Sequence, residues 1–266
     1  MHVAVLLAGV ADPRKPLPKP ASGDWRDLPG SAAVSYKLSP FDEAALEIAL
    51  KLRDQGAAAR VTAIVTDGAH DPALLRAIAA LKPDRVRGLS PPAAQRGNPP
   101  WLAQHAPGLL REGDAWPGLI LIGREHGDLD DGMAPAYLAE TWGLPYVGLA
   151  LQVQARAEGG WTLLRSGAQQ DESLALPAPA MASISNDKSN RLRHPLMKNV
   201  ALAKQFTFEQ ATPDAAQPAA RAALVHAAPA EAAARGAQAC KLFTGPVQAQ
   251  AAALAAYLRA PATAHS

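Results

Sequence analysis

Short apolar segments rich in branched residues alternate with amphipathic stretches from residue 3 to residue 153, and this alternation confines the chain to a layered α/β fold. Val3–Ala8, Arg60–Thr66, Arg85–Leu89, Leu119–Ile122 and Val147–Val153 read as strands, each bounded by Gly, Pro or Asp. In Phe41–Gln55, Ala45, Ile48, Ala49 and Leu52 share one helical face, while Asp42, Glu43, Lys51 and Arg53 lie mainly elsewhere. Pro72–Leu81 repeats that pattern, Ala134–Trp142 is a third helix and Trp101–Arg111 a weaker fourth. Strand followed by helix, repeated, is the signature of right-handed βαβ units, so a mainly parallel, Rossmann-like sheet with flanking helices is expected. Its strands are buried on both faces, and Leu119-Ile-Leu-Ile122 is apolar throughout, as that requires. Ligands in such sheets bind beyond the carboxyl ends of the strands, where the strand order reverses. Those ends are Ala8–Asp12, Thr66–Gly68 and Gly123–Asp131.

The second half departs from the alternation. Trp161–Arg165 and Met181–Ser185 read as strands, with Gly159-Gly160 and Ser166-Gly167 as turns, and a polar, basic loop runs from Asn186 to Asn199. From Ala211 to Gly236 the chain is mostly Ala, Pro, Gln and Glu, with little large apolar surface to bury, so it reads as an arm. Gly245-Pro246 opens a last helix, Pro246–Arg259. The expected division is an α/β domain over 1–205 and an Ala/Pro-rich arm with a terminal helix over 206–266.

Composition removes several functions. The formal net charge is +2 and the basic residues are dispersed except near Arg191, which gives no reason to expect a nucleic-acid partner. A single cysteine, Cys240, excludes an intramolecular disulfide and fits a reducing compartment. The run Val3–Ala8 is too short for a signal-peptide core or a membrane span, so a cytoplasmic location is expected. Gly-x-Ser-x-Gly, His-Glu-x-x-His and Walker loops are absent, and no metal site or catalytic set is expected.

Three segments carry chemical information. In Ser39-Pro-Phe-Asp-Glu, Ser39 suits an N-cap, Pro40 the first turn, and Asp42 and Glu43 the positive end of the helix dipole. The stretch Gly123-Arg-Glu-His-Gly-Asp-Leu-Asp-Asp-Gly-Met-Ala-Pro135 follows the strongest strand and precedes a helix, where backbone N–H groups can hold a phosphate. Asp128, Asp130 and Asp131 would repel that phosphate unless a cation intervened. Asp-x-Asp-Asp admits a magnesium reading beside the plainer one, a solvated acidic loop whose last Asp caps the helix. Asn186–Asn199 groups basic side chains, a His and hydrophobes, either a docking surface or a solvated basic loop.

In order and spacing, these segments together resemble the beta subunit of electron transfer flavoproteins. Ser39-Pro-Phe-Asp-Glu with Glu47, Ala49, Leu50 and Leu52 looks like that family's Asn-Pro-Phe helix opening. Gly123-Arg124 with Asp128 and Asp130, closing at Gly143-Leu-Pro145, looks like its nucleotide loop and following helix. Asn190, Arg193, Pro195, Asn199, Ala203 and Lys204 match its recognition segment, and Arg76, Ala79, Asp84 and Arg85 add a weaker match. The resemblance covers roughly residues 1–205.

The resemblance implies an obligate heterodimer in which a larger alpha subunit holds most of the FAD. The beta-type chain would brace the flavin domain, bind a structural AMP or second flavin, and dock donor dehydrogenases, with a membrane quinone oxidoreductase as acceptor. It would carry electrons rather than act as an enzyme. Carried over by position, the nucleotide contacts are Leu6, Ala8, Ser39, Phe41, Thr66, Asp128, Gly132 and Ala134, and the docking residues are Asn190, Arg193, Pro195, Met197 and Asn199. Met197 falls at the family's anchoring leucine, which it matches in volume. The phosphate donors of the family fall on Asp131, Gly132, Met133, Ala134 and Pro135, and the basic pair after the first strand on Ala8-Gly9. Donors are lost and acids gained, and both changes weaken phosphate binding. The competing expectation is a stand-alone adenine-nucleotide sensor of related fold, which needs an intact phosphate loop.

Overall fold

The structure, a computed structural model, describes residues 1–16, 34–213 and 242–259. Two compact units comprise residues 1–221 and 222–266. In chain order the first contains β1 (His2–Leu7), β2 (Gly9–Ala11), β3 (Tyr36–Leu38), α1 (Pro40–Asp54), β4 (Arg60–Val65), α2 (Pro72–Ala79), β5 (Arg85–Leu89), α3 (Pro99–His105), α4 (Pro107–Leu110), β6 (Leu119–Gly123) and α5 (Ala134–Trp142). It continues with β7 (Tyr146–Ala150), β8 (Gln152–Ala155), β9 (Trp161–Ser166), β10 (Asp171–Leu176), β11 (Ala180–Ile184), α6 (Met197–Ala203) and β12 (Glu209–Ala211). The second unit contributes α7 (Val247–Arg259), none of whose residues is buried. Most of the Ala/Pro-rich stretch 211–236, and Cys240, lie outside the described residues.

The main sheet has seven strands in the order β12-β5-β4-β1-β6-β11-β7, and every pairing is parallel. Side chains alternate across it with the strand period of two. Val3, Val5 and Leu7 enter one core layer with Leu46, Leu50 and Leu75 of α1 and α2. Ala4 and Leu6 enter the other with Trp101, Leu109 and Leu138 of α3, α4 and α5. Helices on both faces make the sheet doubly wound. Its order reverses between β1 and β6, since the chain runs outward from β1 through β4 to β5 and returns to β1's other side as β6. A separate antiparallel sheet, β10-β9-β8, adds Trp161, Leu163 and Val153 to the α1 layer.

Two expected elements are divided. The segment Val147–Val153 forms β7 and β8, which belong to different sheets. Leu149 adopts φ +62°, the register against β11 slips there, and its N–H goes to Ser183 Oγ at 3.0 Å. This bulge turns the chain out of the parallel sheet. The segment Trp101–Arg111 forms α3 and α4, because Pro107 has no N–H for the carbonyl of Ala103. The indole of Trp142 donates to that carbonyl instead, at 2.9 Å. The loop from Asn186 ends earlier than expected, since Met197 opens α6. The hairpin β2–β3, strand β10 and edge strand β12 add to the expected set.

Candidate functional site

Beside the reversal point, the segments leaving the carboxyl ends of β1 and β4 touch through glycines: a Cβ on Gly9 would fall 2.5 Å from the Cα of Gly68. Ala8, Ser39, Phe41 and Thr66 gather here with the loop 123–134, whereas Leu6 lies in the core layer under α3 and α5. Ser39 caps α1 by accepting the Asp42 N–H at 3.1 Å, and Arg124 stacks over Phe41 at 5.0 Å. The capping aims Asp42 into the strand ends, where it is fully buried. Its Oδ2 accepts the N–H of Ala8 at 3.1 Å. Its Oδ1 lies where a Cβ on Gly123 would be only 2.7 Å away. Burial pushes this carboxyl up to about 8, against the pull of the Ala8 N–H and the Ser39 hydroxyl.

The loop after β6 closes over the same point. Gly127, at φ +89°, has room for no side chain, since a Cβ would lie 2.9 Å from Asp67 Oδ2 and 3.5 Å from the Ala8 Cβ. Loss of water pushes Asp67 up to about 7, with Arg96 opposing and Asp128 adding to the rise. His126 is buried, and its Nε2 lies 3.0 Å from the Thr66 hydroxyl, which also reaches the Leu7 carbonyl at 3.3 Å. The hydroxyl has one proton; given to Leu7, it leaves the oxygen to accept from Nε2–H and puts the lone pair of the ring on Nδ1. Burial brings His126 down to about 4, so the ring is neutral at pH 7. Among the described residues Nδ1 has no hydrogen-bond partner. A cavity of about 20 Å³ lies between Thr66, Asp67, Asn98, Trp101, His126 and Asp130. That holds one or two waters and is far below the roughly 300 Å³ of a small-molecule site.

The acidic loop is ordered by its own carboxylates. Asp130 Oδ1 accepts the N–H groups of Gly132 at 3.0 Å, Met133 at 3.0 Å and Ala134 at 3.1 Å, and Oδ2 accepts the His126 N–H at 2.7 Å. Asp130, rather than the last acid Asp131, is therefore the main side-chain acceptor at the start of α5, three residues before its N-cap Met133. Asp131 shares the Met133 N–H at 3.3 Å. Asp128 Oδ2 accepts the Ala11 N–H at 2.9 Å, tying the loop to β2. Among the described residues no group of His, Cys, Asp and Glu converges as metal ligands. The donors that would face a nucleotide phosphate are already bonded, Pro135 brings none, and three carboxylates surround the place. These residues do not fit a phosphate. Asp42, Asp67, His126 and Asp130 carry the electrostatics of the site; none is among the nucleotide contacts carried over from the resemblance, although Asp42 and Asp130 were singled out as acids of the helix opening and of the loop.

The expected docking residues lie elsewhere, along α1 and α2. Asn190 is 5% exposed, and its amide donates to the Leu151 carbonyl. Arg193 grips Glu47 of α1 with Nε at 2.9 Å, Nη2 at 3.0 Å and its backbone N–H at 3.1 Å, and also reaches Asp54. Glu47 itself is 4% exposed. Lys51 donates to the Ser189 carbonyl, and buried Ala203 seats α6. Asn199 starts α6 by giving its N–H to the Leu196 carbonyl at 2.8 Å. With its rear fixed, the segment projects Pro195, Leu196 and Met197 into solvent, Met197 at 81% exposure.

Comparison with known proteins agrees with this architecture. The family model described as the electron transfer flavoprotein domain matches residues 31–216, well over half of the chain. The chain is 30% identical over 188 residues to "Electron transfer flavoprotein subunit beta, mitochondrial" of Oryza sativa subsp. japonica, covering 69% of this chain and 72% of that protein. It is 27% identical over 191 residues to "Electron transfer flavoprotein subunit beta" of Syntrophomonas wolfei subsp. wolfei, covering 70% and 71%. A doubly wound parallel sheet, a closed loop at its reversal point and a braced, apolar-tipped segment thus accompany a match across most of the chain, which belongs to the electron transfer flavoprotein family and is beta-subunit-like.

Proposed function

We propose that this chain is the smaller subunit of a heterodimeric electron carrier. It braces a larger alpha subunit that holds the FAD, and it docks a donor dehydrogenase. The observation that carries the reading is the braced tip: Leu196 at 60% and Met197 at 81% exposure stand on a backbone held by Arg193, Glu47 and Asn190. An apolar anchor on a fixed limb loses little conformational freedom on docking, and that suits a brief, specific encounter. Electron transfer needs two redox centres brought close, and the flavin supplies the redox chemistry. A chain that only positions needs no acid, base or nucleophile of its own, so it works as a carrier subunit rather than as an enzyme. Reduced flavin of the pair would then be reoxidised by a membrane quinone oxidoreductase. Among the described residues no helix is long and apolar enough to cross a membrane.

The docking role is tested with Met197→Asp in the flavin-loaded pair. The variant is expected to raise the KM for the dehydrogenase about tenfold or more, the loss typical of a central interface anchor. Flavin content and pairing should be unchanged, and Met197→Leu should behave as the parent. An unchanged KM in Met197→Asp would remove the tip from the docking surface.

A further inference from the structure

We infer that the carboxylate of Asp130 occupies the position at the N-terminus of α5 where a nucleotide phosphate would otherwise sit, so this chain builds its nucleotide loop without a nucleotide. A helix N-terminus offers free N–H groups and a positive dipole end, which an anion satisfies. Here that anion is intramolecular. Asp130 takes the N–H groups of Gly132, Met133 and Ala134 on one oxygen and that of His126 on the other, all at 2.7–3.1 Å. A phosphate at the same place would have to displace a carboxylate that is covalently present at fixed concentration.

Three independent features point the same way. The cavity between the loop and the strand ends is about 20 Å³, too small for any nucleotide. Gly127 packs against Asp67 and Ala8, so the loop rests on the strand tips with no layer between them. Asp67 and Asp128 add carboxylates around the place, and Ala134 and Pro135 offer no side-chain donor. The loop is thereby closed whatever the cellular supply of adenine nucleotide, and assembly with a partner subunit proceeds without one. The choice of AMP as probe rests on the beta-subunit reading; the seating of Asp130 does not.

The experiment uses the full-length chain, alone and paired with its larger subunit. Denatured samples are assayed by mass spectrometry for nucleotide, and thermal unfolding is followed in AMP, inorganic phosphate or sodium formate against sodium chloride of equal ionic strength. The parent should release no stoichiometric AMP and show no saturable shift with AMP or phosphate. Asp130→Gly, which removes the charged acceptor of four N–H groups, should unfold roughly 3–8 °C lower. Formate, the deleted group in free form, and phosphate should each raise that temperature saturably. One AMP per chain in the parent, or saturable stabilisation of the parent by AMP, overturns the inference, as does an Asp130→Gly chain that neither anion stabilises. The measurement on the parent decides the matter even where Asp130→Gly does not accumulate. AMP found in a yellow pair would defeat this inference and leave the subunit reading intact, whereas a failure to pair would do the reverse.

Discussion

Arg193→Met is expected to destabilise the chain by about 2–4 kcal/mol, the cost of stranding a buried carboxylate, reduced because the guanidinium is itself partly solvated. Glu47 is 4% exposed on a helix packed against the sheet, and three N–H groups of Arg193 satisfy its two oxygens. The substitution leaves only the backbone N–H. Asp54 also loses its partner, but that carboxylate is 46% exposed and water takes the place of the guanidinium. Denaturant unfolding should show the loss, and the double variant Arg193→Met/Glu47→Gln should recover at least half of it, since the uncompensated charge is then gone. A loss below about 0.5 kcal/mol in the single variant would mean that the pair does not hold the segment. Because Arg193 is also what fixes the limb behind Met197, the single variant should weaken dehydrogenase docking as well. That effect comes through the backbone of the limb, whereas Met197→Asp removes the apolar anchor itself, and only Arg193→Met should lower stability along with docking.

The second large effect is a fall in stability on the alkaline side of neutrality. Asp42 is pushed up to about 8 and Asp67 up to about 7, both chiefly by burial, from an ordinary value of 3.8. Between pH 6.5 and 8 the folded chain therefore holds protons that the unfolded chain has released, so raising the pH favours unfolding. Each such group contributes a slope of at most about 1.4 kcal/mol per pH unit, halved where the pH reaches its own value, so the expected loss over this interval is about 2 kcal/mol, mostly from Asp42. His2 and His126, both brought down to about 4 from 6.5, act in the opposite sense at lower pH: the unfolded chain takes up their protons first, so their contribution falls as the pH drops from 6.5 towards 4. The two sets offset each other in that range and leave the alkaline slope exposed. Asp42→Asn keeps an acceptor for the Ala8 N–H and removes the titration. Chemical unfolding at pH 6.5, 7 and 8 should show the variant's slope reduced by more than half, and an unaltered slope would locate the proton elsewhere.

The sheet was legible where burial is symmetric. Leu119–Ile122 and Val3–Ala8 are apolar without interruption because helices cover both faces, and they form β6 and β1 within a residue at each end. In Val147–Val153 the one local signal of the split is Gly148, which interrupts the apolar run directly before Leu149 but does not say which residue turns. What turns the chain there is a positive φ and the Ser183 hydroxyl, both set by the neighbouring strand. Pro107 did announce a break, but the helical pattern on either side of it masked the signal. The three residues of β12 carry no periodicity and are strand only because β5 is beside them.

The site divides along the same line. Ser39 as a cap follows from local chemistry, and the structure has it. Asp42 looks, in sequence, like an acid complementing the helix dipole at the surface; its burial depends on where α1 points. Glu47 enters from sequence only through the family resemblance, and nothing local shows its burial, because its partner lies 146 residues away. Asp130 serves as the acceptor at the start of α5 in place of Asp131 because the bend of the loop at Gly132, φ +94°, brings three successive N–H groups to the earlier carboxylate. Local chemistry thus names the capping residue type, and tertiary direction selects which of the candidates carries it.

The most direct measurement is co-production of the full-length chain with the larger electron transfer flavoprotein subunit from the same organism, followed by size-exclusion chromatography read at the protein and flavin absorption bands. The expected result is a yellow heterodimer with one FAD per pair, in which the flavin follows the larger subunit on separation and this chain alone is colourless. A colourless monomer that elutes apart from a stable, yellow larger subunit, or a flavin that stays with this chain when the two are separated, would contradict it.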